Sequence, residues 1–223
     1  MKLLLTSGGV KTPSIHAALL ALLGKPTAEA SALCITTASY AIPGGPRLAY
    51  EFISGQSSTP MCELGWKSLG VLELTALPSI DKDLWVPTVQ QTDVLLVNGG
   101  DPLYLCHWMQ KSGLADLIPS FPGVYVALSA GSMIMAPRIG QDFVGWKPPS
   151  GDDQTLGLVD FSIFPHLDHI ALPKNHMANA EKWAAKLTNP AYVIDDETAI
   201  QVVDGTTEVI SEGKWTLLNS QPS

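Results

Sequence analysis

The amino-acid sequence predicts an α/β fold: a doubly wound, mostly parallel sheet flanked by helices, with short antiparallel strands at the C-terminal end. Three observations predict it. Apolar runs of strand length ("LLLT", "ALCITT", "DVLLVN", "GVYVAL") recur along the chain, and runs of this kind mark strands buried on both faces. The segments between them carry helix start and stop signals, and strand alternating with helix implies a parallel sheet. Towards the C-terminus helical spacing gives way to short strands with a hairpin signal.

Lys2 to Thr6 reads as the first strand. In "TPSIHAALLALLGKP", Thr12 can N-cap a helix, Pro13 suits its first position, Gly24 can end it and Pro26 prevents its continuation. Ala32 to Thr37 gives a second strand, Pro43 to Pro46 a turn, and Arg47 to Ile53 a helix. Gly70 to Leu77 is the third strand, and "DKDLWVPTVQQ" is a helix that Pro87 interrupts. Asp93 to Asn98 is a strand, and "GGDPLYLCHWMQKSG" follows as a Gly turn and a helix closed near Gly113. "GVYVAL" is the next strand, with a short helix after Ser129. Arg138 to Gly157 is rich in Gly, Pro and Asp and reads as an exposed loop. "LVDFSIFPH" resumes as a strand, and Met177, Ala180, Trp183, Ala184 and Leu187 recur at helical spacing. The remainder, with Asp204-Gly205 as a hairpin turn, reads as short antiparallel strands.

A chain of 223 residues, 46% hydrophobic and 15% charged, can bury a substantial core, so residues 1–223 are expected to form a single domain. A net charge of −8 with 13 scattered Lys and Arg disfavours nucleic acid as a partner. "MKLLLTSGG" is too short in apolar residues for a signal peptide, and no run reaches the roughly 18 apolar residues of a membrane span. The expectation is a cytoplasmic protein with no membrane association. Cys34, Cys62 and Cys106 are odd in number and lack C-x-x-C spacing, which points to reduced buried thiols rather than disulfides or a zinc site. Apolar helix surfaces are compatible with a homodimer.

Ligands of such sheets bind beyond the carboxyl ends of the strands. Ser129, in "YVALSAGSMI", stands where a buried strand turns sharply into a helix, between the small residues Ala127, Ala130 and Gly131. That is the setting of a nucleophile elbow, although a serine that only N-caps a helix has the same sequence. A serine nucleophile needs a base and a group to orient it. Of the five histidines, His166 follows a predicted strand, His169 in the adjoining loop is its rival, and His16, His107 and His176 fall in helices. Asp195, Asp196 and Glu197 in "VIDDETA", and Asp142 in the loop, are candidates for the acid. Gly99 and Gly100, with Ala130, offer backbone amides for an oxyanion site.

In "LLLTSGG", "NGGDPLYL", "LSAGS", "FPHLDH" and "IDDETAI", taken in order, the chain resembles the serine peptidases that include dipeptidase E and cyanophycinase, built on a fold like class I glutamine amidotransferases. The resemblance implies Ser129 as nucleophile, His166 as base, Asp196 as orienting acid, and Gly99 or Gly100 with Ala130 as oxyanion hole. It implies a serine exopeptidase acting on small peptides through an acyl-enzyme, with no metal or cofactor. Asp101 stands where the family's glycine-rich segment continues with Asn, and Glu181 near the place where aspartyl-specific members carry a basic residue. Aspartyl specificity is therefore not implied, and Asp101, His169 and Lys174 are the candidate substrate contacts, with Lys182 a further basic residue nearby. The alternative is a non-catalytic member of the fold that binds a small molecule or a partner chain. A glutamine amidotransferase is disfavoured, because none of the three cysteines stands at the elbow.

Overall fold

The computed structural model describes residues 1–220. Seven strands form the main sheet, in the order β3 (Ser68–Val71), β2 (Ser31–Ile35), β4 (Val94–Val97), β5 (Val124–Leu128), β1 (Lys2–Thr6), β8 (Thr198–Val203) and β9 (Thr206–Ser211). From β3 through β1 the pairing is parallel; β8 and β9 then add antiparallel. The β8–β9 turn is Asp204-Gly205, both at positive φ, as a tight hairpin requires. A second, smaller sheet has the order β10 (Trp215–Leu218), β7 (Ala191–Ile194), β6 (Ser162–Phe164). It is mixed: β7 pairs antiparallel with β10 but parallel with β6.

The apolar runs alternate between the two faces of the main sheet. Leu3 and Leu5 of β1, Leu95 and Val97 of β4, and Tyr125 and Ala127 of β5 enter one core; Leu4, Leu96 and Val126 enter the other. Helices α1 (Pro13–Leu23) and α2 (Gly45–Ile53) cover the second face through Ile15, Leu19, Leu22 and Phe52. Helices α3 (Lys82–Gln90), α4 (Pro102–Ser112) and α5 (Ala130–Met133) cover the first. The small sheet has its own core against α6 (Met177–Ala184), built from Phe164, Ala180, Trp183 and Val193. The caps of α1 form as its sequence predicts: Thr12 accepts from the Ile15 amide, and Gly24 closes the helix in the left-handed region.

Three expectations are corrected. The third strand covers Ser68–Val71 rather than Gly70 to Leu77. As an edge strand its Leu69 and Val71 are exposed, whereas the apolar Leu72, Leu74 and Leu77 that suggested a longer strand reach the core from turns. The second strand stops at Ile35, and Thr37 already begins a short 3-10 turn. Helix α3 runs through Pro87. Pro87 lies on the exposed side, where the carbonyl freed by its missing N–H faces water, while Trp85 and Val89 anchor the other side. No described helix is long and apolar enough to cross a membrane.

Candidate active site

The end of β1 organises the site. In register, Thr6 faces Leu128 of β5 on one side and Ala199 of β8 on the other, so the residues just beyond all three strands emerge together. The Thr6 carbonyl accepts the Ser129 amide at 3.0 Å and the Ser132 hydroxyl at 2.8 Å. Ser129 itself has φ 50° and ψ −115°, a conformation that a residue with a side chain rarely adopts, and its hydroxyl makes no cap bond to α5. The plain N-cap explanation of this serine is therefore set aside: the strain turns its Oγ away from the helix.

Oγ of Ser129 lies 2.9 Å from Nε2 of His166, and Nδ1 of His166 lies 2.6 Å from Oδ1 of Asp196. His166 follows β6 and Asp196 follows β7, so the parallel pairing of these two strands brings imidazole and carboxylate side by side. His166 is also at positive φ, 60°; its backbone amide donates to Ser7 Oγ at 2.7 Å, and the next amide, of Leu167, donates to Ile194 at 3.0 Å. Both side chains of the pair are largely covered, with exposures of 17% for His166 and 14% for Asp196. Burial alone pushes the Asp196 carboxyl up. The hydrogen bond and charge of His166, the Ser7 hydroxyl and the Lys11 ammonium outweigh it and hold the group well below the usual carboxylate range. An ionised Asp196 can only accept, so the proton sits on Nδ1 and leaves Nε2 free to accept from Ser129.

Asp196 approaches this closely because its neighbour across the gap is Gly8. A Cβ there would stand 2.8 Å from Asp196 Cβ and 2.9 Å from its Cγ. The other acidic candidates are occupied elsewhere. Asp195 accepts from the Glu197 and Lys214 amides and the Thr198 hydroxyl, which fixes the turn, and Asp142 pairs with Lys186 at 2.8 Å. Glu197 is exposed.

The amides suggested for an oxyanion site divide. The Gly99 amide donates to Asn98 Oδ1 at 2.8 Å and is engaged, which corrects its inclusion among the free donors. No described acceptor takes the amides of Gly100 or Ala130. Gly100, at φ 138°, lies so close to the Ala38 carbonyl that any side chain would collide with it. The loop is held there by the Asp101 amide donating to Ala38 and by Asn98 donating to Ser39 Oγ.

Ser129 and His166 open onto a cavity of about 720 Å³. Its far wall comes from α6 and the turn before it, where Asn175, Asn179, Lys182, Trp183 and Lys186 recur at helical spacing, with Lys174 beside them. Lys174 and Lys182 have no ion-pair partner among the described residues. Glu181 does not line the cavity. The candidate substrate contacts divide. Asp101 borders the cavity, but it is 4% exposed and spends both oxygens on backbone amides, of Tyr104 at 2.9 Å and Trp146 at 2.6 Å, so it caps α4 and pins the 140s loop. His169 lies on the side of Asp196 away from the cavity, its Nε2 3.6 Å from Oδ2 and its Nδ1 accepting from the Ala171 amide. Sequence reasoning missed Ser7 and Gly8, hidden in the "TSGG" that ends the first strand.

Fold and site together define a class: a doubly wound α/β protein with a strained serine at a strand-to-helix elbow and an imidazole and carboxylate in line behind it. The chain belongs to peptidase family S51, whose family model matches residues 3–210. It is 27% identical over 140 residues to proteins named peptidase E from Shewanella baltica strains OS195 and OS155. These matches take in 60% of this chain but only 56% and 57% of the relatives' lengths. Among solved structures it is similar to a Listeria monocytogenes EGD-e protein assigned to peptidase E (19% identity, TM-score 0.63, covering 95% of this chain and 98% of that one). It is also similar to a peptidase from an acI-B1 Actinobacterium (19% identity, TM-score 0.68, covering 99% and 91%). At that identity the two structures speak to the fold.

Proposed function

We propose that this chain is a serine exopeptidase of dipeptidase type, its residues 1–223 acting as one domain. The observation that carries this reading is the row Ser129–His166–Asp196, joined at 2.9 and 2.6 Å and open to the cavity at its serine end. Ser129 Oγ attacks the scissile carbonyl while His166 Nε2 takes its proton. The amides of Gly100 and Ala130 receive the negative charge that develops on the carbonyl oxygen. Collapse of the tetrahedral intermediate breaks the C–N bond, and the imidazolium gives its proton to the leaving amine. Water, deprotonated by the same imidazole, then releases the acyl group and restores the serine. Asp196, ionised throughout, holds the ring and offsets its charge. The lysines at 174 and 182 favour a substrate that carries a carboxylate near the scissile bond, and a cavity of about 720 Å³ favours a small one.

The test is labelling with a fluorophosphonate, followed by peptide mapping, in the wild-type chain and in Ser129→Ala. It is paired with a panel of dipeptides bearing aspartyl, glutamyl and neutral N-termini. An adduct on Ser129, lost in the variant, with product released from at least one dipeptide, is the expected result. A wild-type chain that takes no label and releases no product, yet is thermally stabilised by a dipeptide, would make it a binding member of the fold instead.

A further inference from the structure

Ser7 has no part in the chemistry just described, yet its hydroxyl is fully buried within reach of both the base and the acid. Its Oγ accepts the backbone N–H of His166 at 2.7 Å and donates to Oδ1 of Asp196 at 2.9 Å. A hydroxyl has one proton to give. His166 Nδ1, the other neighbour at 3.4 Å, already directs its own proton to Oδ1 at 2.6 Å, so the Ser7 proton goes to the carboxylate. One oxygen of Asp196 thus receives two donors, and one side chain ties the backbone of the base to the carboxylate behind it.

We propose that Ser7 is a positioning residue for the His166–Asp196 pair, an inference that rests on the peptidase reading only for its consequence in turnover. Two features make the bond informative. The His166 backbone is in the left-handed region, which a residue with a side chain leaves unless its neighbours hold it, and Ser7 accepts the amide in that conformation. Ser7 also continues directly from Thr6, whose carbonyl holds the Ser129 amide, so adjacent residues of one strand end locate nucleophile, base and acid. The other charged groups facing Asp196 are on its Oδ2 side, Lys11 at 3.5 Å and His169 at 3.6 Å. Asp195 and Glu197 adjoin it in the chain, and Lys214 lines the same depression. None of these touches Oδ1, so none substitutes for Ser7.

The experiment compares the wild-type chain with Ser7→Ala by proton NMR of the His166 Nδ1–H, assigned by its loss in His166→Gln. Kinetics of the dipeptide found active, and of fluorophosphonate labelling, are followed across pH. In Ser7→Ala the downfield Nδ1–H resonance is expected to broaden or vanish, as the pair loses the side chain that ties the backbone of the base to the carboxylate. In turnover kcat falls about tenfold to a hundredfold with KM little changed. Ser7→Cys, which keeps a weak donor, is expected to fall between, and it carries the test if Ser7→Ala does not fold. An unchanged resonance in a folded variant would overturn the proposal, and so would an unchanged kcat on a dipeptide that the wild-type chain turns over. A wild-type chain that neither labels nor turns over, while the NMR still responds to Ser7, would remove the peptidase reading and leave the coupling standing.

Discussion

The substitution Gly8→Ala isolates the placement of Asp196 from its chemistry, because it adds one methyl and removes no hydrogen bond. That methyl would stand 2.8 Å from Asp196 Cβ and 2.9 Å from its Cγ, where ordinary contact begins at 3.4 Å, and the third close atom, the Asp196 carbonyl oxygen at 3.1 Å, is backbone. In an interior packed like this one, relief comes from the carboxylate retreating by roughly half an ångström, since the buried Gly8 backbone follows closely on the central strand β1 and has little room to give. The His166 Nδ1 to Oδ1 contact, 2.6 Å in the native arrangement, then stretches past the range of a strong charge-assisted bond. Displacements of this order in a catalytic group cost about tenfold to a hundredfold in rate, or about 1.4 to 2.7 kcal/mol in the barrier. The assay is kcat/KM on the dipeptide found active and the rate of fluorophosphonate labelling, beside urea denaturation to establish that the variant is folded. A folded Gly8→Ala that works at the wild-type rate would refute the argument that close approach of Asp196 is what the second residue of "SGG" is for.

Three further outcomes are expected. Trp183 is 1% exposed, packs against Phe164, and donates its Nε1–H to the Ile139 carbonyl at 2.8 Å; Trp183→Phe leaves that carbonyl unpaired and should cost about 1–3 kcal/mol in urea unfolding, whereas a loss under half of that would mean that water takes over the bond. Burial pushes the Asp153 carboxyl up, but Arg138 at 2.7 Å and the Gly140 amide at 2.9 Å outweigh it and hold it below the usual range. Its stabilising effect, like that of Asp196, is therefore full above the unfolded carboxylate range of about 4 and is lost as pH falls through the lower folded value. Urea unfolding from pH 7 to pH 3 should show this as a decline below about pH 4, shallower in Asp153→Asn; equal slopes would exclude Asp153 as a contributor. Lys182→Ala should raise KM for a substrate carrying an extra carboxylate by about threefold to tenfold while sparing a neutral one, and an equal effect on both would show that the lysine does not read charge.

The strands with both faces buried were legible because burial on both sides leaves a continuous apolar run, as in β1, β4 and β5. The edge strand β3 was not, because its side chains face solvent and the apolar residues nearby belong to turns that pack beneath it. Pro87 misled for a similar reason: a missing hydrogen bond is tolerated where the freed carbonyl meets water. At the site, Ser129 and His166 could be singled out because each follows a strand and carries a distinctive side chain. Three consecutive acids could not be told apart, since the choice depends on which face of one turn reaches the imidazole, and Asp195 is taken up by the Lys214 and Glu197 amides. Ser7 and Gly8 carry no signal of their own; only their place at the carboxyl end of the central strand marks them. Asp101 drew attention as a charge at an entrance, yet an N-cap has the same sequence.

The row of three groups straddles a seam. Ser129 stands on the main sheet, whereas His166 and Asp196 leave paired strands of the small one. A relative shift of the two sheets would therefore act on the joint between alcohol and imidazole and on the two bonds by which Ser7, at the end of β1, holds His166 and Asp196. Mild heat or denaturant that loosens the seam would silence the serine while leaving the secondary structure in place, and recovery on cooling would need only that the two layers settle back together.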